Sequence, residues 1–208
     1  MRVPFLVLAG LLAAMPALGQ AVPSPVEALP VLRGGGLVLY MRHPATEPGQ
    51  ADAEALDFAD CATQRNLSEA GRRTAAETGA ALRAIGIPVR RTVTSEYCRA
   101  RETAALMGLP GAETEPALND GGRMLAKGPD TPQAEALRAL LRTAPAPGEA
   151  VLVVAHRPNL VDAAGSGFAD LAEGEIVAFR PRAEPPGFRP VARIRTTDWP
   201  ALIVAARG

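Results

Sequence analysis

The chain contains only two histidines, His43 and His156, and each follows a short apolar run and sits beside an arginine: Leu37-Val38-Leu39-Tyr40-Met41-Arg42-His43 and Val151-Leu152-Val153-Val154-Ala155-His156-Arg157. Continuous apolar runs of this length suit strands buried on both faces, so each histidine is expected where a strand opens into a loop. A third run, Val89 to Thr94, leads into Ser95-Glu96-Tyr97-Cys98-Arg99, which places Arg99 at the start of a helix. Two imidazoles with the guanidiniums of Arg42 and Arg99 make a set that attracts an anion. Guanidinium forks match phosphate oxygens in pairs, and a helix N-terminus adds backbone donors and the positive end of its dipole. A neutral imidazole is also a nucleophile. One histidine can attack phosphorus in line while the other and the arginines hold the equatorial oxygens, and water can complete the cycle.

The elements that must position these groups are readable from periodicity. Ser68 is an N-cap for a helix with Ala75, Gly79 and Leu82 on one face, stopped by Gly86 and Pro88. Tyr97 to Met107 reads as a second helix, Pro110 to Asp130 as loop, and Thr131-Pro132 as the cap and start of a third helix carrying Ala134, Leu137 and Leu141. Pro158 and Asn159 open another helix, with Asn159 as its cap. Glu175 to Phe179 and Pro190 to Ile194 read as a strand pair joined across Pro185, Pro186 and Gly187. Strands alternating with helices imply an α/β three-layer sandwich with a mainly parallel central sheet, whose ligands bind beyond the carboxyl ends of the strands.

Composition narrows the partners. Of 208 residues, 22 are basic and 22 acidic, so no global field draws nucleic acid or an anionic surface, and a small partner is expected. Residues 1–21 read as a secretory signal peptide: Arg2 precedes an uncharged run to Ala21, with small residues offering cleavage after Gly19 or Ala21. Residues 22–208 then form one domain, periplasmic or secreted, with no stable membrane insertion after cleavage. Export makes a disulfide between Cys61 and Cys98 the expected state of the two cysteines, contributing on the order of 3 to 4 kcal/mol in the chain-entropy model. Oligomeric state leaves no trace in the sequence. A zinc centre lacks a His-x-x-x-His spacing, and a serine hydrolase lacks a Gly-x-Ser-x-Gly turn.

Four motifs in order resemble the histidine phosphatase superfamily, which includes the cofactor-dependent phosphoglycerate mutases: Leu39-Tyr40-Met41-Arg42-His43-Pro44, Asn66-Leu67-Ser68-Glu69-Ala70-Gly71, Ser95-Glu96-Tyr97-Cys98-Arg99-Ala100-Arg101-Glu102-Thr103-Ala104 and Val153-Val154-Ala155-His156. The resemblance implies a phosphoglycerate mutase-like fold and a phosphomonoester hydrolase that carries a phosphoryl group on His43. It implies that Arg42 and Arg99 bind the phosphoryl oxygens, that His156 is the second histidine of the pocket, and that neither metal nor other cofactor is needed. Pro44 stands where the family has glycine and removes a backbone donor; Ala155 and Arg157 flank His156 where glycines are common. Arg157 either adds a positive group for the substrate or points into solvent. For the acid that protonates the leaving oxygen, Asp120 is the candidate, with Glu115 a weaker one; Glu102 is expected in a structural ion pair. A cationic His156 beside a neutral His43 would favour an acidic to neutral optimum.

Two other readings stay open. One is a phosphate-ester binding protein of the same fold with little or no turnover. The other is a phosphatase specific for sugar phosphates of the lipopolysaccharide core; phosphorylated protein is a further substrate class that the neutral charge does not exclude.

Overall fold

The computed structural model describes residues 22–119 and 126–208. The signal-peptide reading of residues 1–21 and the candidate acid Asp120 lie outside the described residues.

Among the described residues six strands form one sheet. They are β1 (Leu37–Arg42), β2 (Val89–Thr94), β3 (Ala112–Thr114), β4 (Ala150–Ala155), β5 (Ile176–Pro181) and β6 (Phe188–Ile194), in the spatial order β3-β2-β4-β1-β5-β6. The pairs β1 with β4, β2 with β4 and β2 with β3 are parallel, while β5 runs antiparallel to both β1 and β6. The sheet is thus mainly parallel, and its two most central strands are the apolar runs that precede the histidines. All six residues of β1 are buried, as a strand covered on both faces must be.

Among the described residues six α-helices cover the two faces: α1 (Leu29–Arg33), α2 (Glu69–Ala84), α3 (Cys98–Met107), α4 (Pro132–Arg142), α5 (Arg157–Ala164) and α6 (Trp199–Ala205). Alternation along β1 divides the core in two. Leu37, Leu39 and Met41 pack with Ala75, Leu82, Met107, Trp199 and Leu202 from α2, α3 and α6. Val38 and Tyr40 pack on the other face with Leu137, Leu141, Leu160 and Ala163 from α4 and α5. These are the three layers expected from alternating elements.

The helix starts follow their caps. Ser68 Oγ accepts from the Gly71 amide and Thr131 Oγ1 from the Ala134 amide, each satisfying one donor of an opening turn. Gly71 also permits a close approach, because a Cβ there would lie 2.0 Å from the Ala45 oxygen. That approach presses the start of α2 against the loop after His43.

Three elements escaped the sequence reading. β3 interrupts the stretch read as loop; its three residues are exposed and bear no apolar pattern, and it exists through pairing with the edge of β2. α1 and α6 are five and seven residues long, too short for a periodic stripe to stand out. Asn159, expected as a cap, is the third residue inside α5; His156 holds the N-cap position. No helix among the described residues is long and apolar enough to cross a membrane.

Candidate active site

The sheet register brings the histidines together. Arg42 pairs with Ala155 across β1 and β4, and the His43 amide donates to the Ala155 carbonyl at 3.0 Å, so His43 and His156 leave neighbouring parallel strands at the same level. Their ring centroids lie 5.2 Å apart at 64°. Both residues are buried.

Each ring has a fixed partner. His43 Nδ1 lies 2.8 Å from the Pro44 carbonyl oxygen. A carbonyl only accepts, so Nδ1 carries the proton and the lone pair of a neutral His43 is on Nε2. Pro44, which supplies no amide donor, thus supplies the acceptor that sets the tautomer. His156 Nε2 is 2.8 Å from Ser95 Oγ, and its carbonyl accepts from the Tyr40 hydroxyl at 2.7 Å.

Arg99, the second residue of α3, is fully buried. Its guanidinium carbon sits 4.0 Å above the Tyr97 ring, and that ring meets the His156 ring edge-on at 4.8 Å. Nη1 donates to Asp52 Oδ1 at 2.8 Å and to the Arg65 carbonyl at 3.2 Å. Arg42 donates through Nη1 to the Leu171 carbonyl at 2.8 Å and through Nη2 to Glu173 at 3.0 Å. Arg157 is half-buried, and its charge is felt by Arg42.

Electrostatics follow from this crowding of positive groups in a desolvated place. Burial first, then His156 and Arg99, hold the His43 imidazole well below its ordinary value, outweighing the opposing Pro44 bond. Burial first, then Arg99, Arg65 and Arg42, do the same to His156. Both rings are therefore neutral at pH 7. A neutral His43 has the free lone pair that a nucleophile needs, and in the absence of phosphate His156 is neutral where a cation was expected.

The Cys61–Cys98 disulfide is present, with Cα atoms 5.7 Å apart, and joins the loop of Asp52 and Arg65 to the first residue of α3. The Cys98 amide donates to Gln64 Oε1 at 2.8 Å. That helix N-terminus was expected to offer its donors to an anion, yet this one is already taken. Of the weaker acid candidates, Glu115 caps a short 3₁₀ turn by accepting from the Ala117 amide, and Glu102 pairs with Arg72 at 2.7 Å. Asn119, immediately before Asp120, exchanges two hydrogen bonds with Glu96, accepting from its amide at 2.9 Å and donating to its carboxylate at 2.8 Å. This ties the chain before Asp120 to the β2–α3 loop. A cleft of about 800 Å³, lined by Glu47, Arg72, Cys98 and Glu102 among others, opens beside the disulfide and not at the histidines.

Sequence reasoning missed Asp52, Arg65 and Ser95. Ser95 stood in a quoted motif; Asp52 and Arg65 stood in a loop without periodicity, where nothing local marks a partner for Arg99.

The fold and the paired histidines on a mainly parallel sheet define a phosphoglycerate mutase-like protein. A family model described as the histidine phosphatase superfamily (branch 1) matches residues 38–157, and the chain belongs to that superfamily. Among solved structures, the chain is similar to the protein histidine phosphatase SixA complexed with tungstate, at 18% identity and a TM-score of 0.55, covering 78% of this chain and 98% of that one. It is similar also to a mycobacterial glucosyl-3-phosphoglycerate phosphatase, at 17% identity and a TM-score of 0.51, covering 75% and 96%. No curated protein sequence matches the chain.

Proposed function

We propose that this protein is a phosphomonoester hydrolase that works through a phosphohistidine on His43 and needs no metal. His43 Nε2 attacks phosphorus, a P–N bond forms, and the ester P–O bond breaks; the leaving oxygen takes a proton from Asp120. Water then attacks phosphorus and gives a proton to the Asp120 carboxylate; a new P–O bond forms as the P–N bond breaks, which releases inorganic phosphate and returns the electron pair to Nε2. Arg42 and Arg99 hold the phosphoryl oxygens, His156 faces the transferring group, and Arg157 extends the positive surface towards the substrate.

The observation that carries this reading is the meeting of two neutral imidazoles, 113 residues apart in sequence, within a shell of guanidiniums. The substrate is a small phosphate ester. Proteins of similar fold are named a protein histidine phosphatase and a glucosyl-3-phosphoglycerate phosphatase, so the fold alone does not choose the substrate. The disulfide supports an exported protein, in which residues 1–21 are removed and residues 22–208 act as one domain in the periplasm or outside the cell.

The test is hydrolysis of p-nitrophenyl phosphate in the presence of a chelator. Turnover in the wild type and its loss in folded His43→Ala support the proposal. A folded wild-type protein that binds phosphate without turnover would instead make it a phosphate-ester binding protein.

A further inference from the structure

The arginine side of the site is held by an acid that the reaction scheme does not use. Asp52 lies in the loop between β1 and α2, and its side chain is 7% exposed against 0% for Arg99. A single oxygen, Oδ1, accepts both the Arg99 Nη1 bond at 2.8 Å and the Arg65 amide bond at 2.9 Å. The same loop delivers Gln64 to the Cys98 amide, the Arg65 carbonyl to Arg99 Nη1, and Cys61 to the disulfide. The Phe58 carbonyl accepts from Arg101, and the Phe58 ring packs on Tyr97 with centroids 5.1 Å apart.

With Nη1 held from the loop, Arg99 Nε and Nη2 are buried and have no hydrogen-bond partner among the described residues. Those two nitrogens form one edge of the planar guanidinium, with parallel N–H bonds spaced for two oxygens of one phosphoryl group. Two unmade bonds on a buried charged group are costly unless a ligand supplies acceptors. The charge of Arg99 depresses both imidazoles, which sets it beside the pair.

We infer that Asp52 is a positioning residue for Arg99: by binding Nη1 from the far side it turns the Nε–Nη2 edge to the transferring phosphoryl group. This rests on the phosphoryl-transfer reading above. The bonds that Asp52 Oδ1 accepts come from Arg99 and from the Arg65 amide, so its effect on the site passes through the guanidinium. The acceptor geometry carries the effect, because Asn presents an equivalent Oδ1 to both donors while Ala presents none.

The experiment is a double-mutant cycle on the full chain, read by p-nitrophenyl phosphate kinetics, by inorganic phosphate affinity and by melting. Asp52→Ala should lower kcat/KM on the order of 10²-fold, as misorientation of a binding group does, and weaken phosphate binding. Asp52→Asn should recover most of both. In an Arg99→Ala background, Asp52→Ala should have no further effect.

Equal losses from Asp52→Ala in both backgrounds would overturn the inference, as would a failure of Asp52→Asn to recover either kcat/KM or phosphate affinity. Should Asp52→Ala not fold, the cycle is run with Asp52→Asn and with the double variant, which buries no unpaired guanidinium; a loss in Asp52→Asn as deep as in Arg99→Ala then overturns it. Turnover that survives in His43→Ala sinks the reading beneath the inference instead, and the phosphate titrations still decide whether Asp52 and Arg99 are coupled.

Discussion

The two halves of the site are assembled by different means. On one side, His43 and His156 extend from adjacent central strands, and their meeting is set by the pairing of Arg42 with Ala155 and the backbone bond from His43 to Ala155. On the other side, Arg99 is held by a side-chain ion pair and a carbonyl from a loop of irregular structure, stapled to α3 by the Cys61–Cys98 disulfide. A sheet register slips only at the cost of the whole core, whereas a loop contact can be lost alone. The histidine side is therefore robust, and on the proposed function the arginine side is the place where stability and activity would be coupled.

Several measurements break or sharpen that contrast. The largest effect belongs to the histidine side: His43→Asn should reduce turnover by on the order of 10⁴-fold or more, as loss of a nucleophile does, while phosphate still binds Arg99. Steady-state kinetics with phosphate titration check both halves of that statement.

Removal of the staple comes next. Cys61→Ser with Cys98→Ser should cost about 3 to 4 kcal/mol in denaturant unfolding, the loop-closure contribution, and should lower kcat/KM through Arg99. In native conditions the His43–His156 pair should stay intact, visible as unchanged imidazole resonances. A fall in activity with displaced imidazole signals would contradict the division between the two sides.

The histidine side has its own pH signature. Both rings are held well below the ordinary histidine value, by burial first. Between about pH 6.5 and the depressed folded values, the unfolded chain binds protons that the folded one refuses, so their contribution is intact above about pH 6.5 and is lost on acidification. Each histidine steepens the decline by up to about 1.4 kcal/mol per pH unit in that window. Unfolding free energies from pH 7 to 5 should fall less steeply in a His43→Asn, His156→Asn double variant, and an identical slope would remove the neutral-imidazole account.

The smallest effect is expected at Arg42. Its partner Glu173 is 36% exposed, and Arg42 keeps the Leu171 carbonyl on Nη1. Pairs open to solvent contribute up to about 1 kcal/mol, so Glu173→Gln should change kcat/KM by less than about fivefold in the p-nitrophenyl phosphate assay.

The same contrast explains what could be read from the sequence. β1, β2 and β4 announced themselves as short apolar or β-branched runs, and the histidines came with them because each lies one residue past a strand. The disulfide followed from two cysteines and the expectation of export. Asp52, Gln64 and Arg65 were invisible, because a loop side chain or carbonyl that bonds a helix 34 to 47 residues away leaves no periodicity behind. Neutral His156 was missed for a related reason: its state depends on burial beside Arg99 and Arg65, which only the assembled site reveals.

The most direct test of the account is to quench the enzyme during turnover of a radiolabelled phosphate ester and map the label. An acid-labile phosphoryl group on the peptide containing His43, absent after His43→Asn, is the predicted result. Turnover that proceeds with label on His156, or with no phosphorylated enzyme at all under single-turnover conditions, would contradict it.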